Sequence, residues 1–266
     1  MLCLLRSSTL RHTALVTPKT CLVTGAGRGI GAAVARRLSA GGHRVALVAR
    51  TEPELTAVAD ELPGPALALP ADVTASDAAD TVLTRVEREW GPVEVLVLAA
   101  GVGSSAPIAR TTDEQWRDAI EVNLTAPFRF LRAAVPAMVP RGWGRVVVVA
   151  SMAAKRGDPY VCAYTASKHG VLGLVRSAAA ELAASGVTVN AVCPGYVDTP
   201  MTAATIANIT ASTGRSEREA REALERRQPI RRLITVDEVA DAVEFCLASA
   251  AVTGQGINVD GGAVQS

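Results

Sequence analysis

Short apolar runs alternate with helical stretches along almost the whole 266-residue chain. Strands are predicted at residues 20–24, 44–49, 66–70, 93–98, 146–150 and 187–192 and near Ile257, and helices at 32–40, 52–62, 76–90, 113–138, 217–227 and 236–248 and around Tyr164. Alternation of this kind favours parallel strands that are covered by helices on both faces. We therefore expect an α/β fold with one doubly wound parallel sheet of about seven strands.

A glycine-rich turn joins the first predicted strand to the first predicted helix. It spans residues 25–31, with glycine at positions 25, 27, 29 and 31. Glycine lets the backbone approach a pyrophosphate closely, and the N-terminus of the next helix offers unpaired N–H groups and a positive dipole end. The order of strand, turn and helix predicts a Rossmann-type, dinucleotide-binding domain.

The chain after residue 19 shows no linker-like change in composition and no internal repeat, which predicts one catalytic domain over residues 20–266. One connection, between Gly195 and Thr235, is unusually long. It leaves the predicted sheet at the carboxyl edge, where such sheets bind ligands. We expect a helical substrate lid over about residues 196–232, with an ordinary surface insertion as the alternative.

Residues 1–19 are predicted to be an N-terminal extension. They contain Arg6, Arg11 and Lys19, several serines and threonines, and no acidic residue. This composition weakly matches a transit peptide. An N-terminal extension without a targeting role, or a start codon placed too early, is a plainer explanation than a transit peptide.

Composition also limits the partners and the location. A net charge of +1 without a basic run argues against a nucleic-acid surface, and no apolar run is long enough for a membrane span. The cysteines are scattered, which is typical of a reduced, cytoplasmic protein. They are Cys3, Cys21, Cys162, Cys193 and Cys246.

Tyr164 and Lys168 are four residues apart and should share one face of a helix. An ammonium group beside a phenol favours the phenolate, so we expect the pKa of Tyr164 to fall from about 10 toward neutrality. A proton donor or acceptor works best in that range. Ser151 directly follows the apolar run 146–150, which places it at the carboxyl end of a buried strand.

The charges after the second predicted strand bear on cofactor choice. An acid at that position would accept a hydrogen bond from a ribose 2′-hydroxyl and repel a 2′-phosphate. Here Arg50 follows the strand, no acid occurs before Glu52, and Arg28 lies in the glycine turn. Two guanidinium groups suit a phosphate, which favours NADP(H) over NAD(H). The alternative is that both arginines simply face solvent.

Together these motifs resemble the short-chain dehydrogenase/reductase family over about residues 20–262. The matching positions are Thr24, Gly25, Gly29, Gly31, Asp72, Val73, Ala100, Gly101, Asn123, Ser151, Tyr164, Lys168, Pro194 and Gly195. Residues 163–171 and 189–195 are most similar to ketoreductases of aromatic polyketide assembly and to 3-oxoacyl or 3-hydroxybutyrate-type members. Leu98 and Ala99 depart from the family, which usually has two asparagines there. We expect altered packing or an ordered water rather than lost chemistry.

The resemblance implies roles for four catalytic residues. Tyr164 would exchange the proton with the substrate oxygen, and Lys168 would lower the pKa of Tyr164 and bind the nicotinamide ribose. Ser151 would bind the carbonyl, and Asn123 would hold a water that links Lys168 to solvent. The expected cofactor contacts are Thr24, Gly25, Arg28, Gly29, Ile30, Gly31, Arg50, Asp72, Val73, Ala100, Gly101, Tyr164, Lys168, Pro194, Gly195, Val197 and Thr199.

The function implied is NADP(H)-dependent reduction of a ketone, 3-oxoacyl or polyketide-like, to a secondary alcohol by hydride transfer. Oxidation of a 3-hydroxyacyl or cyclic alcohol, or a non-catalytic NADPH-binding module, stays open. The lid residues Met201, Ile206, Ile209 and Leu224 suit an apolar substrate, which could be linked to a carrier protein or coenzyme A, but equally suit packing of the lid on its own domain. The resemblance also implies a homotetramer or homodimer.

Two other enzyme classes lack the residues that they need. Ser151 does not lie in the Gly-x-Ser-x-Gly turn of a serine hydrolase. The three histidines, His12, His43 and His169, are too scattered for a hydrolase triad or a metal site. We therefore expect no metal.

Overall fold

The computed structural model describes residues 17–265 and is built around one parallel sheet. Its strands are β1 Thr20–Thr24, β2 Arg44–Ala49, β3 Ala66–Pro70, β4 Val95–Leu98, β5 Gly144–Val149, β6 Val187–Pro194 and β7 Gly256–Val259. The strand order is β3-β2-β1-β4-β5-β6-β7, and every neighbouring pair is parallel. The predicted doubly wound, seven-stranded sheet is confirmed.

Helices cover both faces of this sheet. They are α1 Gly29–Ala40, α2 Glu52–Glu61, α3 Ala78–Trp90, α4 Asp113–Ile120, α5 Ala126–Met138, α6 Cys162–Leu182, α7 Pro200–Thr213, α8 Glu217–Glu225 and α9 Val236–Ala248. Neighbouring strand residues point to opposite faces. Leu22 packs into the core under α3, α5 and α6, whereas Val23 packs into the core under α1, α2 and α9. The strands are therefore apolar at nearly every position.

The two halves of the sheet meet at β1, which pairs with β2 on one side and with β4 on the other. The chain winds outward from β1 to β3 and then returns to start the second half at β4. The loops that follow β1 and β4 consequently diverge. Open α/β sheets bind ligands in the crevice that forms at such a reversal point.

The long helix predicted over 113–138 is interrupted at its centre. A π-helical turn, Glu121–Thr125, separates α4 from α5 and contains the buried Asn123. A π turn holds one more residue than an α turn and often occurs at functional sites. Asn123 therefore lies in a local irregularity of the helical segment rather than in a regular α-helical turn.

Two helices, α7 and α8, form the excursion at residues 196–232. It has a small core of its own that contains Ile206 and Leu224, with Ile209 packed against it, whereas Met201 lines the main cleft. Of the apolar residues considered for substrate contact, three thus pack within the excursion and one reaches the cleft. The pattern had predicted α8 but not α7. The Thr199 cap and Pro200 at the first helical position were the available signals for α7.

The predicted N-terminal extension, residues 1–19, lies outside the described residues except for 17–19. Lys19 contacts the domain, because its Nζ is 2.9 Å from Glu94 Oε1 and 4.2 Å from the centre of the Trp143 ring. Among the described helices, none combines the length and apolar character needed to cross a membrane.

Candidate active site

A cleft of about 810 Å³ opens at the carboxyl ends of the strands, where β1 and β4 diverge. Its size is within the range of small-molecule and cofactor sites. One wall is the glycine turn and the end of β2, a second is the loop after β4, and a third is the start of α7. The predicted cofactor contacts that line it are Gly25, Arg28, Gly29, Ile30, Gly31, Arg50, Asp72, Val73, Ala100, Gly101 and Thr199.

The glycine turn is packed too closely for side chains at two of its positions. A Cβ atom at Gly31 would lie 2.2 Å from the Gly25 carbonyl oxygen, and one at Gly25 would lie 2.7 Å from Ala100 N. Gly25 also has a φ of +68°, which favours glycine. Among the described residues, no side chain caps the N-terminus of α1. An exposed backbone and an uncapped helix N-terminus fit the pyrophosphate of a dinucleotide.

Thr24 ties the ends of β1 and β4 together beneath the cleft. Its Oγ1 accepts hydrogen bonds from Ala99 N at 3.1 Å and Ala100 N at 3.2 Å. Leu98 is buried in the core, so the positions that replace the expected asparagines are held by backbone bonds and packing. The ends of β1 and β4 are thus linked in this chain without either asparagine.

Four candidate catalytic residues converge where the cleft meets the loop after β4. A Cβ atom at Gly101 would lie 3.3 Å from Asn123 Oδ1 and 3.7 Å from Lys168 Nζ, and one at Gly103 would lie 3.7 Å from the Tyr164 ring. Lys168 is only 4% exposed, and its Nζ donates to Val149 O at 3.0 Å. The spacing along α6 therefore places Tyr164 and Lys168 on one face, as predicted.

Ser151 and Asn123 are held by dense hydrogen bonding. Ser151 Oγ accepts from Ala153 N at 3.1 Å and also bonds to the Tyr164 side chain. The Asn123 amide nitrogen donates to Val102 O at 2.9 Å and to Ser167 Oγ at 3.0 Å, while its oxygen accepts from Val102 N at 3.0 Å. Both N–H groups of Asn123 are used, so a water on this side chain would have to donate to the amide oxygen.

The electrostatics of the pair differ from the sequence-based expectation. Burial raises the pKa of Tyr164, and the Ser151 hydrogen bond opposes this rise without cancelling it. Burial also lowers the pKa of Lys168 from 10.5 to about 8. The expected fall of the Tyr164 pKa is therefore wrong for this arrangement. The ammonium group is 5.6 Å from the centre of the Tyr164 ring, and desolvation of both groups outweighs their interaction.

At the end of the cleft that is formed by the glycine turn and the end of β2, the lining includes two arginines and two carboxylates. They are Arg28, Arg50, Glu54 and Asp72. Arg28 Nη1 is 3.5 Å from Glu54 Oε1, so the turn arginine already has an acidic partner. Asp72 accepts from Thr74 N at 2.9 Å and from Thr74 Oγ1 at 2.8 Å. These bonds are the main cause of its lowered pKa, to which the charge of Arg50 also contributes. No motif indicated Glu54, which α2 brings back to the glycine turn.

The family of the chain follows from comparison with known proteins. The model of the short chain dehydrogenase family matches residues 19–210. The chain belongs to the short-chain dehydrogenase family. It is therefore an oxidoreductase, and the resemblance drawn from its motifs is confirmed.

Individual relatives of this short-chain dehydrogenase cover nearly its whole length. A Streptomyces violaceoruber protein assigned as ketoacyl reductase 1 of the granaticin polyketide synthase is 39% identical over 269 residues, 96% of this chain and 98% of the relative. The 3-oxoacyl-[acyl-carrier-protein] reductase MabA of Mycobacterium avium is 38% identical over 246 residues, 92% of this chain and 89% of MabA. A variant of actinorhodin polyketide ketoreductase, crystallised with NADPH, is 40% identical with a TM-score of 0.89 and covers 92% and 97% of the two chains.

Some predicted cofactor contacts of the dehydrogenase lie away from the cleft walls. Thr24 lies beneath the floor of the cleft, and in the described structure the cleft lining also lacks Tyr164, Lys168, Pro194, Gly195 and Val197. Gly195 N donates to Val259 O at 3.0 Å, and Val197 forms an isolated bridge with Ile234. These residues anchor the base of the excursion.

The dehydrogenase cleft also has walls that its motifs did not indicate. These lining residues are Gly27, Ala49, Thr51, Glu54, Ala71, Thr74, Ala99, Val102, Gly103, Ser104, Gln115, Asp118, Ala119, Val122, Pro200, Met201 and Ala204. Eight of these seventeen residues directly neighbour a predicted cofactor contact in sequence, which was the available signal for them. Within residues 17–265, no group of three or more His, Cys, Asp or Glu side chains is arranged to hold a metal ion.

Proposed function

We propose that this short-chain dehydrogenase is an NADP(H)-dependent ketoreductase that reduces a 3-oxoacyl or polyketide-like ketone to a secondary alcohol. The observation that carries the proposal is the convergence of Tyr164, Ser151 and Lys168 at the edge of a cleft with a pyrophosphate-binding turn. The names of MabA and of actinorhodin ketoreductase, and the NADPH in the latter structure, support the same substrate class and cofactor.

The catalytic side chains would act on the substrate oxygen. The bound nicotinamide supplies the hydride. Ser151 and Tyr164 donate hydrogen bonds to the carbonyl oxygen, which gains negative charge as the reaction proceeds. Tyr164 then transfers its proton, and its raised pKa keeps it protonated before that step. The buried ammonium group of Lys168 stabilises the tyrosinate that remains.

The cofactor would lie along the cleft from the glycine turn to Lys168. Backbone N–H groups at Gly29, Ile30 and Gly31 would hold the pyrophosphate. Arg28 and Arg50 would face the 2′-phosphate, and Lys168 the nicotinamide ribose. At the adenine end the contacts would be Asp72 and Val73; nearer the nicotinamide they would be Ala100, Gly101 and Thr199, while Pro194, Gly195 and Val197 would support the base of the excursion next to it.

The substrate would enter between the loop after β4 and the excursion, which we propose acts as a lid. Met201 lines the cleft. Ile108 follows the loop after β4, and Tyr160 O accepts from Ala106 N of that loop at 2.8 Å; these two side chains expose 80% and 66% of their surfaces. Tyr160 has a φ of +70°, a strained conformation that is concentrated at functional sites. This apolar rim suits an acyl chain on a carrier protein or coenzyme A. We further propose a cytoplasmic homotetramer or homodimer.

The proposal is tested with a panel of ketones and alcohols and both nicotinamides. Consumption of NADPH with 3-oxoacyl thioesters or polyketide-like ketones, coupled to formation of the secondary alcohol, is the expected result. Turnover only with alcohols would assign the oxidative direction instead. Tight NADPH binding without turnover of any substrate would indicate a non-catalytic module.

The rate of reduction should depend on the charge of Lys168. This side chain is protonated below its pKa of about 8 and neutral above it. Since the charge stabilises the tyrosinate, kcat/KM for ketone reduction should be level below pH about 8 and fall as the pH rises through that value. The measurement is a pH profile of kcat/KM, which reports the ionisation of the free enzyme.

Lys168→Arg is the control for this pH dependence. Arginine stays charged throughout the range, so whatever activity the variant retains should lack the alkaline decrease. A decrease at the same pH in both proteins would assign it to another group.

The cofactor preference should depend on Arg50. A charge-assisted hydrogen bond contributes roughly 1.5–3 kcal/mol, so Arg50→Ala should weaken NADPH binding by about ten- to a hundredfold and leave NADH nearly unchanged. Ala49→Asp should weaken NADPH binding more than Arg50→Ala does, because a carboxylate at that position would repel the 2′-phosphate. Fluorescence titration with both nicotinamides measures the effect.

Arg36→Ala is a matched control for Arg50→Ala. Arg36 lies on α1 and pairs with Glu61, outside the cleft lining in the described structure. Its loss removes one positive charge without touching the proposed phosphate site. Equal weakening of NADPH and NADH by Arg50→Ala would contradict the assignment.

A further inference from the structure

We propose that Glu54 acts against the 2′-phosphate and sets how strongly this chain discriminates between NADP(H) and NAD(H). The inference rests on the proposed function only in that the cleft binds a nicotinamide dinucleotide. It assigns to Glu54 a role opposite to that of Arg28 and Arg50. Glu54 is accordingly a specificity-determining residue rather than a catalytic one.

The position of Glu54 is set by the first turn of α2. Together with Ala49, Arg50 and Thr51 it lines the cleft where β2 ends. A Cβ atom at Gly27 would lie 3.1 Å from both Cβ and Oε2 of Glu54, so the carboxylate lies directly against the glycine turn. In dinucleotide-binding sheets, the end of the second strand is where the ribose 2′ position is recognised.

The charge of Glu54 acts on the 2′ position in two ways. First, the carboxylate holds Arg28, whose Nη1 is 3.5 Å from Glu54 Oε1, and a phosphate would have to compete for that guanidinium group. Second, a phosphate bound beside Arg28 would also lie close to the Glu54 carboxylate, and the two negative charges would repel each other. A neutral 2′-hydroxyl has neither disadvantage and can donate to the carboxylate.

The size of the effect is limited by solvent. The Arg28 and Glu54 side chains are 66% and 37% exposed, so screening weakens both the pair and the repulsion. Glu54→Gln keeps the shape of the side chain and removes its charge. We expect NADPH to bind about two- to fivefold more tightly to this variant, and NADH to bind equally well or more weakly.

The experiment is a fluorescence titration of the whole protein with NADPH and NADH at low and at high salt. Glu52→Gln is the matched control, because Glu52 is in the same helical turn, is exposed and lies outside the cleft lining of the described structure. Both variants lose one negative charge near the site. Only Glu54→Gln should change the ratio of the two dissociation constants, and the change should shrink at high salt.

The role of Arg28 is tested with the double variant. If Glu54 acts partly by holding Arg28, the gain from Glu54→Gln should be smaller in an Arg28→Ala background. Weaker NADPH binding by Glu54→Gln would show that Glu54 orients Arg28 for the phosphate, and would overturn the proposal. Equal changes for NADPH and NADH, or equal effects of Glu52→Gln and Glu54→Gln, would also overturn it.

These outcomes are separate from those that test the proposed function. A wild-type preference for NADH would contradict the cofactor assignment, yet a selective gain in NADPH affinity from Glu54→Gln would still support the role of Glu54. An absence of ketone reduction would contradict the reaction and leave the titrations interpretable.

Discussion

Replacing Tyr164 with phenylalanine should lower kcat for ketone reduction by about 10²- to 10⁴-fold, the range that general acid catalysis contributes. The change removes the proton donor and the hydroxyl that bonds to Ser151, but keeps the ring that lies against the loop after β4. The fold and the dissociation constant for NADPH should stay close to those of the wild type. Steady-state kinetics and cofactor titration measure the two quantities separately.

Tyr160→Phe is the matched control, because it makes the same chemical change four residues earlier, at the exposed Tyr160. Phenylalanine keeps the ring that the proposal places at the substrate entrance and removes only a hydroxyl group, so its effect should fall on KM while kcat stays close to the wild-type value. A Tyr164→Phe variant with kcat near that of Tyr160→Phe would remove Tyr164 from the mechanism. A Tyr164→Phe variant that no longer bound NADPH would indicate a structural rather than a chemical role.

Replacing Gly31 with alanine should nearly abolish NADPH binding and destabilise the fold. The new methyl group would lie 2.2 Å from Gly25 O and 2.6 Å from Gly25 C, so the glycine turn must move away from α1. Overpacking of this kind costs typically about 1–3 kcal/mol. Displacement of the turn also removes the backbone cradle for the pyrophosphate. Denaturant unfolding and NADPH titration measure the two effects.

Gly173→Ala is the control for this substitution. Gly173 lies within α6, and no described atom outside its own stretch of helix is within 4 Å of a Cβ added there. Alanine at a helix interior should raise the free energy of unfolding by roughly 0.5–1 kcal/mol and leave cofactor binding unchanged. A Gly31→Ala variant that bound NADPH as tightly as Gly173→Ala would contradict the close packing of the turn.

Much of the fold could be predicted from local patterns. Strands such as β5 are apolar at every position because both faces of a parallel sheet are buried, and this pattern can be recognised without knowing the partner strands. The four-residue spacing of Tyr164 and Lys168 likewise follows from the period of a helix. The glycine turn was recognisable because it joins a strand to a helix.

The tertiary structure alone decided features that depend on distance across the chain and on burial. Arg28 and Glu54 are 26 residues apart, and they meet only because α2 folds back over the end of β2. The pKa of Tyr164 shifts in the direction opposite to the one expected from the spacing, and the pKa of Lys168 falls, because desolvation depends on all the elements packed around the two groups. Helical and strand periods are local properties of the backbone and are therefore encoded in short segments, whereas charge contacts and desolvation depend on how those segments pack.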